Sequence, residues 1–276
     1  MRIGFFDSGI GGLSVLSEAL TVLPDEEYLF DADIDHVPYG ERSAEEIAHY
    51  AMDNARFLLS EGAQAIVVAC NTATAVAIGQ LRGMTDVPVI GMEPAVKPAV
   101  EGIADGAEES SPDGACRDHR VLVAATPVTL RENKLKDLIR RVDPMHRVDA
   151  VPLPGLVPLA EAEAFDSPET EAYLTEAFAG IDPGAYCAFV MGCTHFTYFK
   201  PLFRKLLGPQ VRLIDGNAGT VRHLADVLGL PKRRAALSPG LPDNVRCYLS
   251  GRRVTDPAEL ARFGRYLDRM EKIRET

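Results

Sequence analysis

Tryptophan is absent from this 276-residue chain, and aromatic side chains make up only 7% of it. The aromatic platforms on which single-stranded nucleic acid stacks are therefore scarce. Positive charge is also in deficit. Against 40 Asp and Glu stand 29 Lys and Arg, a formal charge of −11 that repels phosphate backbones and anionic membranes. Neither nucleic acid nor membrane is an expected partner. No window holds the eighteen or more apolar residues that a membrane-crossing helix needs. Met1 to Phe6 runs straight into strand-like sequence, without the basic region and long apolar stretch of a leader, so a cytoplasmic location is expected. The five cysteines, at 70, 116, 187, 193 and 247, are odd in number and form no CxxC pair. They read as free thiols, and no metal site is expected. Nucleotide-binding patterns are missing too: the turn Asp7-Ser8-Gly9-Ile10-Gly11-Gly12 has neither GxGxxG nor GxxxxGK[ST] spacing.

What is present is globular composition, 46% apolar and 25% charged, enough for one large core or two modest ones. Strand-like and helix-like segments alternate throughout. Apolar runs at 3–6, 28–31, 65–69, 87–91, 121–125, 148–151, 187–191, 211–214 and 245–249 read as strands, most of them followed by helical sequence. Ser43-Ala44-Glu45-Glu46 fits a capping box, and the helix it opens should stop near Gly62. The pattern implies an α/β fold whose sheets are mainly parallel and flanked by helices. Residues 104–119, acidic and rich in Gly, Ser and Pro, read as a surface loop near a lobe boundary.

In open α/β sheets, ligand-facing residues sit just beyond the carboxyl ends of strands. Four polar clusters occupy such positions: Asp7-Ser8, Cys70-Asn71-Thr72, Thr126, and Cys193-Thr194-His195. Two of them share one grammar, an apolar run, a small residue, a thiol, then a hydroxyl or amide, and look like one copy in each half of the chain. Inverting an α-carbon requires a proton to leave one face and return on the other, which two opposed acid/base groups accomplish simply. A thiol, with an ordinary pKa of about 8.5, serves as either acid or base near neutrality. Asp7 could assist Cys70, and His195 could assist Cys193. Buried strand-end cysteines are ordinarily inert packing, and a lone histidine is ordinarily a hydrogen-bonded core residue. On the residues alone both readings stay open. Cys116, Cys187 and Cys247 take the structural one. The glycines of the first turn allow tight backbone, leaving helix N-terminal amides to face an anion.

Five motifs taken together carry a resemblance: Asp7 to Leu13, Pro38-Tyr39-Gly40, Ala69-Cys70-Asn71-Thr72-Ala73, Glu93-Pro94-Ala95, and Gly192-Cys193-Thr194-His195. In this order, across residues 3 to about 220, they resemble the glutamate racemases of the aspartate/glutamate racemase superfamily. The resemblance implies two pseudo-symmetric α/β lobes with the active site in the cleft between them, and no cofactor or metal. It implies a discontinuous first lobe, residues 1–97 with 214–276, and a second lobe, 98–213. Cys70 and Cys193 match the proton donor/acceptor pair, Cys70 acting as base on the D-isomer by that analogy. Asp7, His195 and Glu161 match their helpers. Asp7, Ser8, Tyr39, Gly40, Asn71, Thr72, Thr194 and His195 match substrate contacts. A homodimer that makes D-glutamate for peptidoglycan synthesis is also implied.

Several departures border the site. Phe196-Thr197-Tyr198-Phe199 stands where Tyr-Pro-Leu-Leu is usual, and Val128 stands where a glycine is expected. They bear on substrate preference more than on reaction type. The Asp-Ser-Gly start and a histidine at 195 favour glutamate over aspartate. Rival readings are a racemase of another acid such as aspartate, a non-catalytic regulatory protein that keeps the cleft, and a thiol hydrolase.

Overall fold

A computed structural model describes residues 1–102 and 120–274. The acidic 104–119 stretch lies outside the described residues. Among the described residues ten strands form two sheets: β1 (Arg2–Asp7), β2 (Glu27–Ala32), β3 (Ala65–Val68), β4 (Val89–Gly91), β5 (Arg120–Ala125), β6 (Val148–Pro152), β7 (Tyr186–Met191), β8 (Arg212–Asp215), β9 (Val245–Leu249) and β10 (Arg252–Arg253). The first sheet runs β10-β9-β2-β1-β3-β4, and the second β6-β5-β7-β8. All pairings are parallel except β9 with the two-residue β10. The nine apolar runs read from the sequence are the nine long strands. β10 has no apolar run to announce it.

The order β2-β1-β3-β4 in one sheet repeats as β6-β5-β7-β8 in the other. Each lobe is thus wound the same way, with its switch point between the first and third strands of the unit. That crevice is where α/β sheets bind ligands. Asp7 ends β1, Cys70 follows β3, Thr126 follows β5 and Cys193 follows β7. The two cysteines therefore stand at equivalent places in two copies of one topology.

Local sequence explains the flanking helices. Ser43 Oγ accepts the Glu46 amide at 3.2 Å while a Glu46 carboxylate oxygen accepts the Ser43 amide at 3.0 Å, the expected capping box for the helix Ala44–Ser60. Gly62 takes φ +86°, a backbone state that glycine adopts without steric cost. The helical sequence after β5 forms two helices, Pro127–Arg131 and Asn133–Val142, because Glu132 between them is extended at ψ 142°. Cys70, Cys193 and Cys247 are free thiols, but Cys187 is disulfide-bonded, which corrects the reading of five free cysteines. Among the described residues no helix is long and apolar enough to cross a membrane.

Candidate active site

Residues from both lobes converge around one buried carboxylate. Asp7, at the end of β1, is fully buried. One of its oxygens accepts the Ser8 hydroxyl at 3.1 Å, and the other accepts the Thr194 hydroxyl at 2.8 Å. Cys70 donates its thiol to Ser8 Oγ at 3.8 Å and accepts the Ala73 amide at 3.4 Å, sitting as N-cap of the helix Asn71–Gly83. On the other side the Cys193 sulfur lies 3.8 Å from His195 Nδ1, which is also 3.4 Å from Thr194 Oγ1. A continuous polar path thus runs from Cys70 through Ser8, Asp7 and Thr194 to His195 and Cys193. Cys70 and Cys193 belong to two different apolar clusters, and the polar path connects them.

Glu161, at the end of the short helix Leu156–Glu161, completes the Cys193 side. Its Oε1 lies 2.7 Å from His195 Nε2 and accepts the Ile10 amide at 2.8 Å. A carboxylate on Nε2 fixes the imidazole plane and leaves Nδ1 facing the thiol. Two glycines make this approach possible. A Cβ on Gly9 would stand 2.0 Å from Glu161 Oε1, and one on Gly11 would stand 2.4 Å from His195 Nδ1. The glycines of the first turn thus serve close packing of one lobe's loop against the other lobe's proton relay.

Electrostatics differ on the two sides. Burial, reinforced by the charge of Asp7, pushes the Cys70 thiol up to about 12, so it rests as S–H. Burial also raises the Asp7 carboxyl, opposed by His195 and by its hydrogen-bond donors. Burial disfavours the His195 cation, yet the bonds to Cys193 and Glu161 outweigh it and hold the imidazole well above its ordinary value. The Glu161 carboxyl is held low although burial acts the other way, because His195, the Ile10 amide and Arg262 all favour its charged form. One thiol is therefore a resting acid. The other, Cys193, sits beside an imidazole whose charged form is favoured.

These protonation preferences carry a sign. A raised thiol pKa means the fold favours the neutral form, so this contribution to stability is full below 9.0 and fades as pH rises toward about 12. Treatment with iodoacetamide near pH 8, followed by peptide mass spectrometry, should leave Cys70 and Cys247 largely unmodified; burial pushes the Cys247 thiol up to about 12 as well. Ready labelling of Cys70 would contradict its resting as S–H.

The remaining candidates divide. Thr72 Oγ1 lies 3.0 Å from both Thr126 Oγ1 and Thr129 Oγ1, a three-hydroxyl seam linking the β3 end to the β5 end. Gly40 packs on the same Thr126, whose Cβ would be 2.9 Å from an added methyl. Tyr39 is buried, and its hydroxyl is given to Asp33 Oδ2 at 2.5 Å, not to another candidate residue. Asn71 is buried, and its carboxamide oxygen has no partner. Asp33 went unnoticed in the sequence, although it lies just past β2. It collects Tyr39, His36, Asn54 and Ser250 around one carboxylate. The same strand-end rule that found Asp7 would have found it. Thr129 and Arg262 carried no such signal. Among the described residues no group of three or more His, Cys, Asp or Glu is placed to hold a metal ion.

The fold is two like-wound α/β lobes with a thiol at each switch point, and the chain is similar to known isomerases. The model of the Asp/Glu/hydantoin racemase family matches residues 16–224. A curated glutamate racemase from Campylobacter curvus is 48% identical over 275 residues, covering 100% of this chain and 99% of that protein. Another, from Campylobacter concisus, is 45% identical over 274 residues, 99% of each. The crystal structure of Escherichia coli glutamate racemase with L-glutamate and the activator UDP-MurNAc-Ala superposes with TM-score 0.75 at 28% identity, covering 95% of both chains. The chain belongs to the Asp/Glu/hydantoin racemase family. It is an isomerase of the racemase class.

Proposed function

We propose that this protein interconverts L- and D-glutamate by a two-thiol mechanism, with Cys70 and Cys193 as the proton-transferring pair. The observation that carries the reading is the polar path joining the two sulfurs through Asp7, because it gives each thiol a partner through which its proton can be relayed. In one direction the Cys193 thiolate, stabilised by the His195 imidazolium, takes the α-proton. The resting Cys70 thiol then delivers its own proton to the opposite face of the carbanion. The reverse direction exchanges the roles, with Ser8 and Asp7 drawing the proton off Cys70. A two-base arrangement of this kind contributes through positioned acid/base groups, each worth about 10²–10⁴-fold. Ser8, Tyr39, Gly40, Asn71, Thr72, Thr194 and His195 surround the substrate, and backbone amides and hydroxyls bind its carboxylates.

Glutamate, rather than another acid, is favoured by the relatives of high identity over nearly the full chain, which are named glutamate racemases. Residues 1–97 with 214–276 are proposed as the first lobe and 98–213 as the second, in a cytoplasmic homodimer that supplies D-glutamate for peptidoglycan. Incubating the protein with either enantiomer of glutamate in deuterated water tests the chemistry. Optical activity should decay to zero from both sides, with one deuterium gained per inverted molecule, and aspartate should turn over far more slowly. Absence of decay with glutamate would defeat the proposal, and decay with aspartate alone would move it to another acid.

A further inference from the structure

The helix Pro257–Lys272 is the last helix of the chain, and its inner face touches the end of the helix Leu156–Glu161 that carries the His195 partner. The last carbonyls of a helix lack internal partners and need donors from elsewhere. Here Tyr266 OH donates to the Ala160 carbonyl at 2.6 Å, and Arg262 Nη2 donates to the Glu161 carbonyl at 2.8 Å. The same Nη2 stands 3.6 Å from Glu161 Oε2. The two carboxylate oxygens of Glu161 are therefore divided. Oε1 holds His195 and the Ile10 amide, while Oε2 faces a guanidinium. Arg262 is itself fixed, with Glu163 at 3.8 Å from its Nε, Glu259 at 3.6 Å from its Nη1, and the Tyr266 ring 5.9 Å below its carbon.

We propose that Arg262 is a positioning residue for the Cys193 half of the site: by gripping both the main chain and the far carboxylate oxygen of Glu161, it holds that carboxylate on His195 and keeps imidazole Nδ1 turned to the thiol. This rests on the two-thiol reading above. A carboxylate with one oxygen on an imidazole and the other on a guanidinium cannot rotate without losing a partner. Its charge is also retained, and with it the cationic form of the imidazole. The groups facing this relay are Ile10 N–H from the first turn, Asp7 from β1, Tyr198 from the Thr194–Phe199 turn, and Arg262, Tyr266 and Glu259 from the last helix, with Glu163 and Arg265 at its outer edge.

The test is kinetic. Arg262→Gln keeps a donor for the Glu161 carbonyl and removes the charge. It should lower kcat/KM for glutamate racemisation about 10-fold. The loss must be equal for both enantiomers, because the equilibrium constant of a racemisation is one. The acid limb of the kcat/KM–pH profile should move by roughly half a unit or more, since Arg262 and Glu161 together set the charge around the imidazole. Arg262→Lys should restore most of the rate and the position of the limb. On a Glu161→Gln background, Arg262→Gln should cost less than about 2-fold further, as residues acting through one another are not additive. If the glutamine variant does not fold by circular dichroism, Arg262→Met replaces it with the same expectations. An unchanged rate, or a loss that leaves the acid limb in place and multiplies fully with Glu161→Gln, would overturn the assignment while wild-type racemisation persists. Inactivity of the wild-type protein on glutamate would instead defeat the two-thiol reading beneath it.

Discussion

Replacing Cys193 with alanine is expected to lower kcat/KM for glutamate racemisation by at least about 10³-fold, and Cys70→Ala should do the same. Either change removes one of two groups that must act on opposite faces of a single carbon, so neither thiol can substitute for the other. Stability should fall little. Cys193 and Cys70 each end on a polar path rather than in the middle of an apolar layer, and sulfur-to-methyl truncation at such an edge leaves a small void. A loss of about 1–2 kcal/mol in denaturant unfolding is the scale for a modest cavity. In deuterated water the single-thiol variants retain one base. Any α-hydrogen exchange they support should therefore proceed with retention of configuration, read by mass and optical rotation on the same sample. Racemisation at near wild-type rate in either variant would remove that cysteine from the chemistry.

Gly11→Ala is expected to reduce kcat/KM about 10²-fold or more and to destabilise the protein by roughly 1–3 kcal/mol, the range for forced overpacking. The added methyl would lie 2.4 Å from His195 Nδ1, 2.6 Å from Cε1 and 2.7 Å from Cγ. The obstacle is a ring rather than the far end of a flexible chain. The ring is anchored by Glu161 at 2.7 Å, so yielding would tear the imidazole from its carboxylate or separate the two lobes. Gly79→Ala is the control. Nothing lies within 4 Å of its Cβ, and alanine improves helix propensity in the middle of Asn71–Gly83. Urea unfolding of the two variants should therefore move in opposite directions, while steady-state kinetics change in Gly11→Ala alone. A Gly11→Ala enzyme with wild-type kinetics would show that the loop does not press on the relay.

Much of this arrangement was written locally. Strands covered on both faces announce themselves as apolar runs, and the polar residue that ends each run is exposed to the crevice by topology alone. That rule reaches Asp7, Cys70, Thr126 and Cys193 without any knowledge of their neighbours. It could not say that the Asp7 carboxylate would be shared by Ser8 and Thr194, because that contact joins residues 187 positions apart. Arg262 was invisible for a related reason. On the amphipathic helix Pro257–Lys272 an arginine reads as a solvated surface charge, and only the packing of that helix on Leu156–Glu161 turns it inward. Glu161 was reached through resemblance rather than pattern, since it ends a six-residue helix with no strand to mark it. Tyr39 illustrates the opposite limit. The turn around it is evident in the sequence, but the partner of its hydroxyl, Asp33, depends on how β2 ends.

The pairing of β9 with β2 has a consequence for synthesis on the ribosome. Tyr28 to Ala32 face Val245 to Leu249 in register, so one edge of the first sheet stays open until more than 200 further residues have been translated. At about 5–20 residues per second, that interval lasts on the order of 10–40 s. During it a nascent chain displays an apolar strand edge of the kind that templates aggregation. Chaperone dependence of newly made protein should accordingly be set by the delay before that last strand emerges, and a circular permutant beginning just ahead of Val245 should shorten it.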